Sequence, residues 1–141
     1  MSGILLDSNI LVYAYIPDPS ELKVSRAIEA VRRAAEMGTG CVTVQNLAEF
    51  SAVALHKAKP PRTPAETRGR IRQIEALFAV LSPAARHVHM ALDAVARHRL
   101  SFWDALLWAV AKDNGIAEIW TEDFEDGRAI EGVLFKNPLK E

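Results

Sequence analysis

The sequence predicts an α/β protein built on a central parallel sheet of four to five strands. Three observations carry that expectation. Short apolar runs such as Ile4-Leu5-Leu6, Cys41-Val42-Thr43-Val44 and Ala117-Glu118-Ile119-Trp120 have the length and composition of buried strands. The stretches between them repeat apolar residues at helical spacing, and strands that alternate with helices pair in parallel through crossover connections. The 141 residues are 50% hydrophobic and 25% charged, which suits one compact domain over 1–141 and excludes a collagen-like or disordered chain.

The first run, Ile4-Leu5-Leu6, ends at Asp7-Ser8-Asn9 and places Asp7 at a strand tip. From Glu21 onward Val24, Ala27, Ile28, Val31 and Ala35 mark a helix, with Gly38 as its C-cap. After the Cys41 strand, Leu47, Phe50, Val53 and Ala54 give one helix face. The segment Lys59-Pro60-Pro61-Arg62-Thr63-Pro64 breaks that helix, and Ile71, Ile74, Leu77 and Phe78 belong to the next. A short strand near Val80-Leu81 follows, then a helix opened by Pro83 that bears Val88, Leu92 and Val95. Ser101 starts another helix, apolar on nearly every side from Ala105 to Ala111 and so deeply buried, with Gly115 to end it. Ala117 to Trp120 is the next strand, and Gly132 to Phe135 the last.

Charge is balanced overall, 17 Lys and Arg against 18 Asp and Glu, so any nucleic-acid signal must be local. Lys57 to Arg72 holds six basic residues against Glu66 alone, and Asp113 to Gly127 holds six acids with no Lys or Arg. The basic stretch is either a solvated face or an RNA-phosphate contact through Arg68, Arg70 and Arg72. The single Cys41 makes no internal disulfide and is expected to be a buried thiol in an intracellular protein. Met1-Ser2-Gly3 gives no basic n-region and Ile10 to Ile16 is too short to span a membrane, so a cytoplasmic location is expected.

In open parallel sheets, ligands bind beyond the carboxyl ends of the strands. Four acids map there: Asp7 after the first strand, Glu49 in the first turn of the following helix, Asp104 in the first turn of the buried helix, and Asp123 after the Trp120 strand. Each also has a structural reading. Asn46 to Glu49 and Ser101 to Asp104 have capping-box spacing, Asp7 suits an Asx turn, and Asp123 stands in an acidic loop with Glu122, Glu125 and Asp126. Independent caps and turns have no reason to gather at one sheet edge, and such a gathering is an oxygen-ligand set for Mg²⁺.

Leu5-Leu6-Asp7-Ser8-Asn9, Glu49, Ser101-Phe102-Trp103-Asp104-Ala105 and Trp120-Thr121-Glu122-Asp123 together resemble the motifs of PIN-domain ribonucleases, particularly the VapC-type toxins of toxin-antitoxin pairs. The resemblance implies a three-layer α/β/α fold and an endoribonuclease that uses Mg²⁺ or Mn²⁺. It makes Asp7, Glu49, Asp104 and Asp123 the catalytic, metal-binding quartet, with Asn9 and Thr121 as supporting polar groups. Glu122 and Asp126 stay open as further ligands. It also implies a homodimer and a cognate antitoxin. The apolar stretch Ile10 to Ile16, which ends at Pro17-Asp18-Pro19, reads either as a helix covered by the protein's own neighbouring elements or as one that leaves some of Val12, Tyr13, Tyr15 and Ile16 for another chain, and the resemblance favours the second.

Other chemistries fit less well. No P-loop, dinucleotide loop or nucleophile elbow is present, and His56, His87, His89 and His98 read as surface or packing residues. An Asp-dependent phosphatase carries a second Asp two residues after the first, where this chain has Asn9. A non-catalytic binding module of the same fold is the remaining alternative. Trp103, Trp108 and Trp120 fall in segments expected to be buried and are assigned to the core.

Overall fold

The computed structural model describes residues 3–18 and 21–140. Met1, Ser2 and Pro19, on which part of the terminal and loop reading rests, lie outside the described residues. The element order is β1 (Ile4–Leu6), α1 (Ser8–Tyr15), α2 (Val24–Met37), β2 (Gly40–Thr43), α3 (Val44–His56), α4 (Pro64–Leu77), β3 (Ala79–Leu81), α5 (Ala85–His98), α6 (Phe102–Asp113), β4 (Glu118–Trp120), β5 (Ala129–Ile130) and β6 (Val133–Lys136).

The strands form one sheet in the order β3-β2-β1-β4-β6-β5. Its first five strands pair in parallel, as the alternating pattern predicts, and the two-residue β5 adds an antiparallel edge on β6. β1 lies at the centre, and the chain winds outward to β2 and β3 on one side before crossing back to β4 on the other. The switch point of the sheet is therefore the crevice between the carboxyl ends of β1 and β4.

Strand residues alternate between two apolar layers. Ile4, Leu6, Val42 and Trp120 face a core shared with α1, α2, α3 and α4, whereas Leu5, Cys41, Ile119 and Phe135 face one shared with α5 and α6. This is the three-layer α/β/α arrangement. Cys41 is buried as expected; burial pushes its thiol up to about 11, which leaves it inert at neutral pH. Gly38 caps α2 at φ 71°, the left-handed geometry that favours glycine.

Several helices differ from their expected faces: Ile28 of α2 and Leu77 of α4 are exposed. In α5, Val88 and Leu92 are exposed, while His87, Ala91 and Ala94 point inward. Close packing of α5 on α6 needs small side chains at the contact, so the alanines, and not the larger residues, form the inner stripe. His87 is thereby a buried cap: its Nδ1 accepts the Ala84 N–H at 2.8 Å, and its Nε2 pairs with Asp113 at 2.9 Å. His98 pairs with Glu131 at 2.8 Å. In α1, Ile10 and Leu11 are buried, as is the C-cap Ile16, which is therefore not free for another chain; Val12, Tyr13 and Tyr15 are half-buried against the protein's own core.

No helix among the described residues is long and apolar enough to cross a membrane.

Candidate active site at the switch point

Asp7 is the N-cap of α1. Its backbone is extended (φ −75°, ψ 160°), and its Oδ1 accepts the Ser8 N–H at 2.7 Å, so the helix starts immediately after the strand instead of after a polar loop. Its Oδ2 accepts the Thr121 hydroxyl at 2.8 Å from the end of β4. The same Thr121 Oγ1 accepts from Asn9 Nδ2 at 3.2 Å and from the Asp123 N–H at 3.2 Å, and Asn9 Nδ2 also donates to Asp123 Oδ2 at 3.1 Å. One network thus ties both sides of the crevice.

A cleft of about 180 Å³ opens there, lined by Asp7, Ser8, Gln45, Asn46, Glu49, Trp103, Asp104, Leu107 and Asp123. All four acids predicted from sequence line it. Burial raises the Asp7 carboxyl above its ordinary value, the Thr121 and Ser8 hydrogen bonds pull it down, and Asp104 and Asp123 push it up. Glu49 is raised first by burial and then by Asp7 and Asp104. The carboxylates therefore feel one another across the cleft.

The two expected capping boxes resolve differently. α3 begins at Val44, earlier than the spacing implies, and its box is Thr43 with Asn46: Asn46 N donates to Thr43 Oγ1 at 3.0 Å and Thr43 N donates to Asn46 Oδ1 at 2.9 Å. Glu49 is consequently no cap and lies beyond the first turn, on the cleft side of the helix. Asn46, 1% exposed, also reaches Asp7 Oδ1 with its Nδ2 at 3.4 Å, a contact that sequence reasoning missed because Asn46 was read as an N-cap. Ser101 does cap α6, accepting the Asp104 N–H at 3.2 Å, and its hydroxyl donates to Asp104 Oδ2 at 2.9 Å.

The remaining candidates separate from the cleft. Glu122 turns away, accepting the Tyr13 hydroxyl at 2.8 Å and the Lys23 ammonium at 2.8 Å. Asp126 accepts the Asn137 N–H at 2.8 Å and pairs with Lys140 at 3.7 Å. Arg68, Arg70 and Arg72 are exposed on α4, which contributes no residue to the cleft lining. Arg68 and Arg72 stand four apart on one side of that helix, and Arg70 turns to the other, hydrogen-bonding Gln73. Trp103 is a correction: Trp108 and Trp120 are 1% and 3% exposed as expected, but Trp103 is 62% exposed at the cleft rim. α6 buries Ala105 to Ala111, but Trp103 precedes that buried segment and turns to solvent while Phe102 packs on the core.

The donor set is all oxygen, which suits a hard cation such as Mg²⁺ or Mn²⁺. As the side chains lie, no three His, Cys, Asp or Glu groups among the described residues stand close enough to hold one ion together. Asp7, Asp104 and Asp123 each accept a side-chain hydrogen bond, from Thr121, Ser101 and Asn9 respectively.

Fold and cleft together define an α/β protein with a carboxylate site at the switch point of its sheet. The sequence matches the PIN domain over residues 4–127, and the chain belongs to that family. No curated protein sequence matches it. Among solved structures it is similar in fold to VapC20 of Mycobacterium tuberculosis, described as a sarcin-ricin loop cleaving toxin, at 16% identity and a TM-score of 0.65 over 86% of this chain and 92% of that one. It is also similar to VapBC2 of Rickettsia felis, bound to a DNA fragment from its promoter, at 14% identity and a TM-score of 0.69 over 95% and 97%. DNA-bound VapBC of Salmonella typhimurium gives 17% identity and a TM-score of 0.68 over 98% and 99%.

Proposed function

We propose that this protein is a Mg²⁺- or Mn²⁺-dependent endoribonuclease that hydrolyses RNA phosphodiester bonds, and that it acts as the toxin of a toxin-antitoxin pair. The observation that carries the reading is the meeting of Asp7, Glu49, Asp104 and Asp123 on one cleft at the switch point. Membership of the PIN family supports nuclease chemistry, and the likeness to toxins and toxin-antitoxin complexes supports the biological role. A cognate antitoxin, a homodimer and a cytoplasmic location belong to the same reading.

In this reading the four carboxylates hold the cation. A cation held there would supply a more acidic water for attack on phosphorus and would offset charge on the leaving oxygen. Thr121 and Asn46 fix the Asp7 carboxylate by donating to its two oxygens, and Asn9 orients Asp123. Supporting partners of this kind set the direction of ligand lone pairs. Leu107 and Trp103 supply the apolar part of the cleft wall. Arg68, Arg70 and Arg72 are proposed to contact RNA phosphates away from the cleft, which predicts a shallower salt dependence of binding when they are reversed to Glu.

The test is cleavage of mixed RNA by the purified protein in Mg²⁺ or Mn²⁺, with EDTA and Asp7→Asn as controls. Cleavage that needs metal and Asp7 is expected; RNA left intact by the wild type in both metals overturns the reading. Co-purification with the small protein encoded beside it, and light scattering, test antitoxin and dimer.

A further inference from the structure

We propose that Trp103 is a stacking platform for a nucleobase of single-stranded RNA next to the scissile phosphodiester, because its exposed indole forms the rim of the cleft that holds Asp7, Glu49, Asp104 and Asp123. The inference rests on the nuclease reading and names how that site grips its substrate.

A single exposed apolar side chain is ordinary on a protein surface. Trp103 is distinguished by where it stands and how it is held. It precedes Asp104 in the first turn of α6, a turn fixed by the Ser101 cap and continued by the buried segment Ala105 to Ala111. The half-buried Phe102 packs against the inner core and meets the indole edge-on, at 5.2 Å between ring centres and 72° between planes. The ring is thus supported from the protein side, and 62% of the residue is left to solvent. An exposed aromatic face set beside the acids is what a splayed-out base can stack on.

Charge gives the second argument. The cleft is lined by four acids and by no Lys or Arg, and the basic residues of α4 do not reach it. An anionic strand is repelled there, so close to the reacting phosphate the protein's own grip must come from contacts that carry no charge. Stacking on an indole is such a contact, and it tolerates any base because every base has a π face. A single-stranded segment fits and a duplex does not, because paired bases keep their faces covered.

The test compares wild type with Trp103→Phe and Trp103→Ala on a short single-stranded RNA, and repeats the comparison with an abasic nucleotide placed in turn at each position around the cut. Trp103→Ala is expected to raise KM about ten-fold or more, with kcat within a few-fold, and Trp103→Phe to keep most of the affinity. At one position the abasic substrate should cost the wild type the same factor and cost Trp103→Ala nothing further, the coupling expected of two partners in one contact. In Asp7→Asn with Mg²⁺, the same RNA should quench the exposed Trp103 fluorescence, and Trp103→Phe should lose the quench while Trp108 and Trp120 stay silent. A folded Trp103→Ala with wild-type KM, while the wild type cleaves, overturns the platform and leaves the nuclease standing. If that variant instead cleaves normally but escapes inhibition by a bound protein, the indole is a protein contact and the proposal fails. A wild type that neither cuts nor binds RNA removes the nuclease reading and this inference with it.

Discussion

Thr121 donates its hydroxyl to Oδ2 of Asp7 across 2.8 Å, which joins the carboxyl ends of the neighbouring strands β4 and β1 at the point where the sheet changes direction. The threonine is 2% exposed, and its oxygen also accepts from Asn9 and from the Asp123 backbone. One hydroxyl therefore organises two of the four acids.

Thr121→Val keeps the shape and removes that hydroxyl. It takes one hydrogen bond each from Asp7 Oδ2, the Asn9 amide and the Asp123 N–H, while Asp7 keeps the Ser8 N–H and Asn46 and the Asn9 amide keeps Asp123 Oδ2, at a cost of about 1–3 kcal/mol. Cleavage is expected to fall about 10- to 100-fold, the usual effect of losing a partner that orients a ligand. Melting curves and rates measured together check both; a variant with wild-type rate and reduced stability would confine Thr121 to folding.

Asp7→Asn should uncouple stability from activity. Burial and the nearby Asp104 and Asp123 all disfavour the Asp7 carboxylate, so a neutral amide is expected to raise Tm in EDTA while abolishing cleavage. For the wild type, Mg²⁺ or Mn²⁺ at a hundredfold excess over Kd should stabilise by about 2.7 kcal/mol, and Asp7→Asn should lose most of that gain. Identical midpoints with metal and with EDTA would count against a shared site.

Asp7, Asp104 and Asp123 were legible in the sequence because each follows a strand or lies in the first turn of a helix, Glu49 sits further into α3 than its spacing implies, and the strands were legible from their apolar runs. What was not legible depended on helix phase and on packing partners. The start of α3 at Val44 moved the cap from Asn46 to Thr43 and freed Asn46 to reach Asp7, a shift of three residues that apolar periodicity does not register. On α5 the large residues Val88 and Leu92 marked the wrong face, because closeness to α6 was achieved with Ala91 and Ala94. Trp103 was placed inside because its helix is buried, although that burial begins only at Ala105.

Acid should weaken the contact between α5 and α6. Asp113 is held below the usual carboxylate range chiefly by its hydrogen bond to His87 and then by that to Arg86. A carboxyl depressed in the folded state contributes stability above its unfolded value of 3.8, and that contribution is lost as pH falls through the lower folded value. Asp113→Asn should accordingly lower Tm at neutral pH, and its deficit should shrink below about pH 4. A deficit independent of pH would assign the effect to packing alone.

Two adjacent acids, Glu122 and Asp123, should behave oppositely. Glu122 is spent on Tyr13 and Lys23, and its own N–H donates to Asn9 Oδ1 at 3.4 Å, whereas Asp123 faces the cleft. Burial and the bond to Glu122 push the Tyr13 hydroxyl up to about 12, so it remains a donor across the physiological range. Tyr13→Phe removes that donor and is expected to cost about 1 kcal/mol, because the pair is only partly shielded from water. Glu122→Gln keeps an acceptor for Tyr13 and should leave metal affinity unchanged, with cleavage within a few-fold of wild type. Asp123→Asn should weaken metal binding about 10-fold or more, since a neutral amide is a poorer ligand for a hard cation than a carboxylate. Calorimetric titration with Mn²⁺ on both variants decides the matter: an equal loss of affinity would bring Glu122 into the ligand set, and a loss confined to Asp123→Asn leaves it as the anchor that holds the loop after β4 against α1.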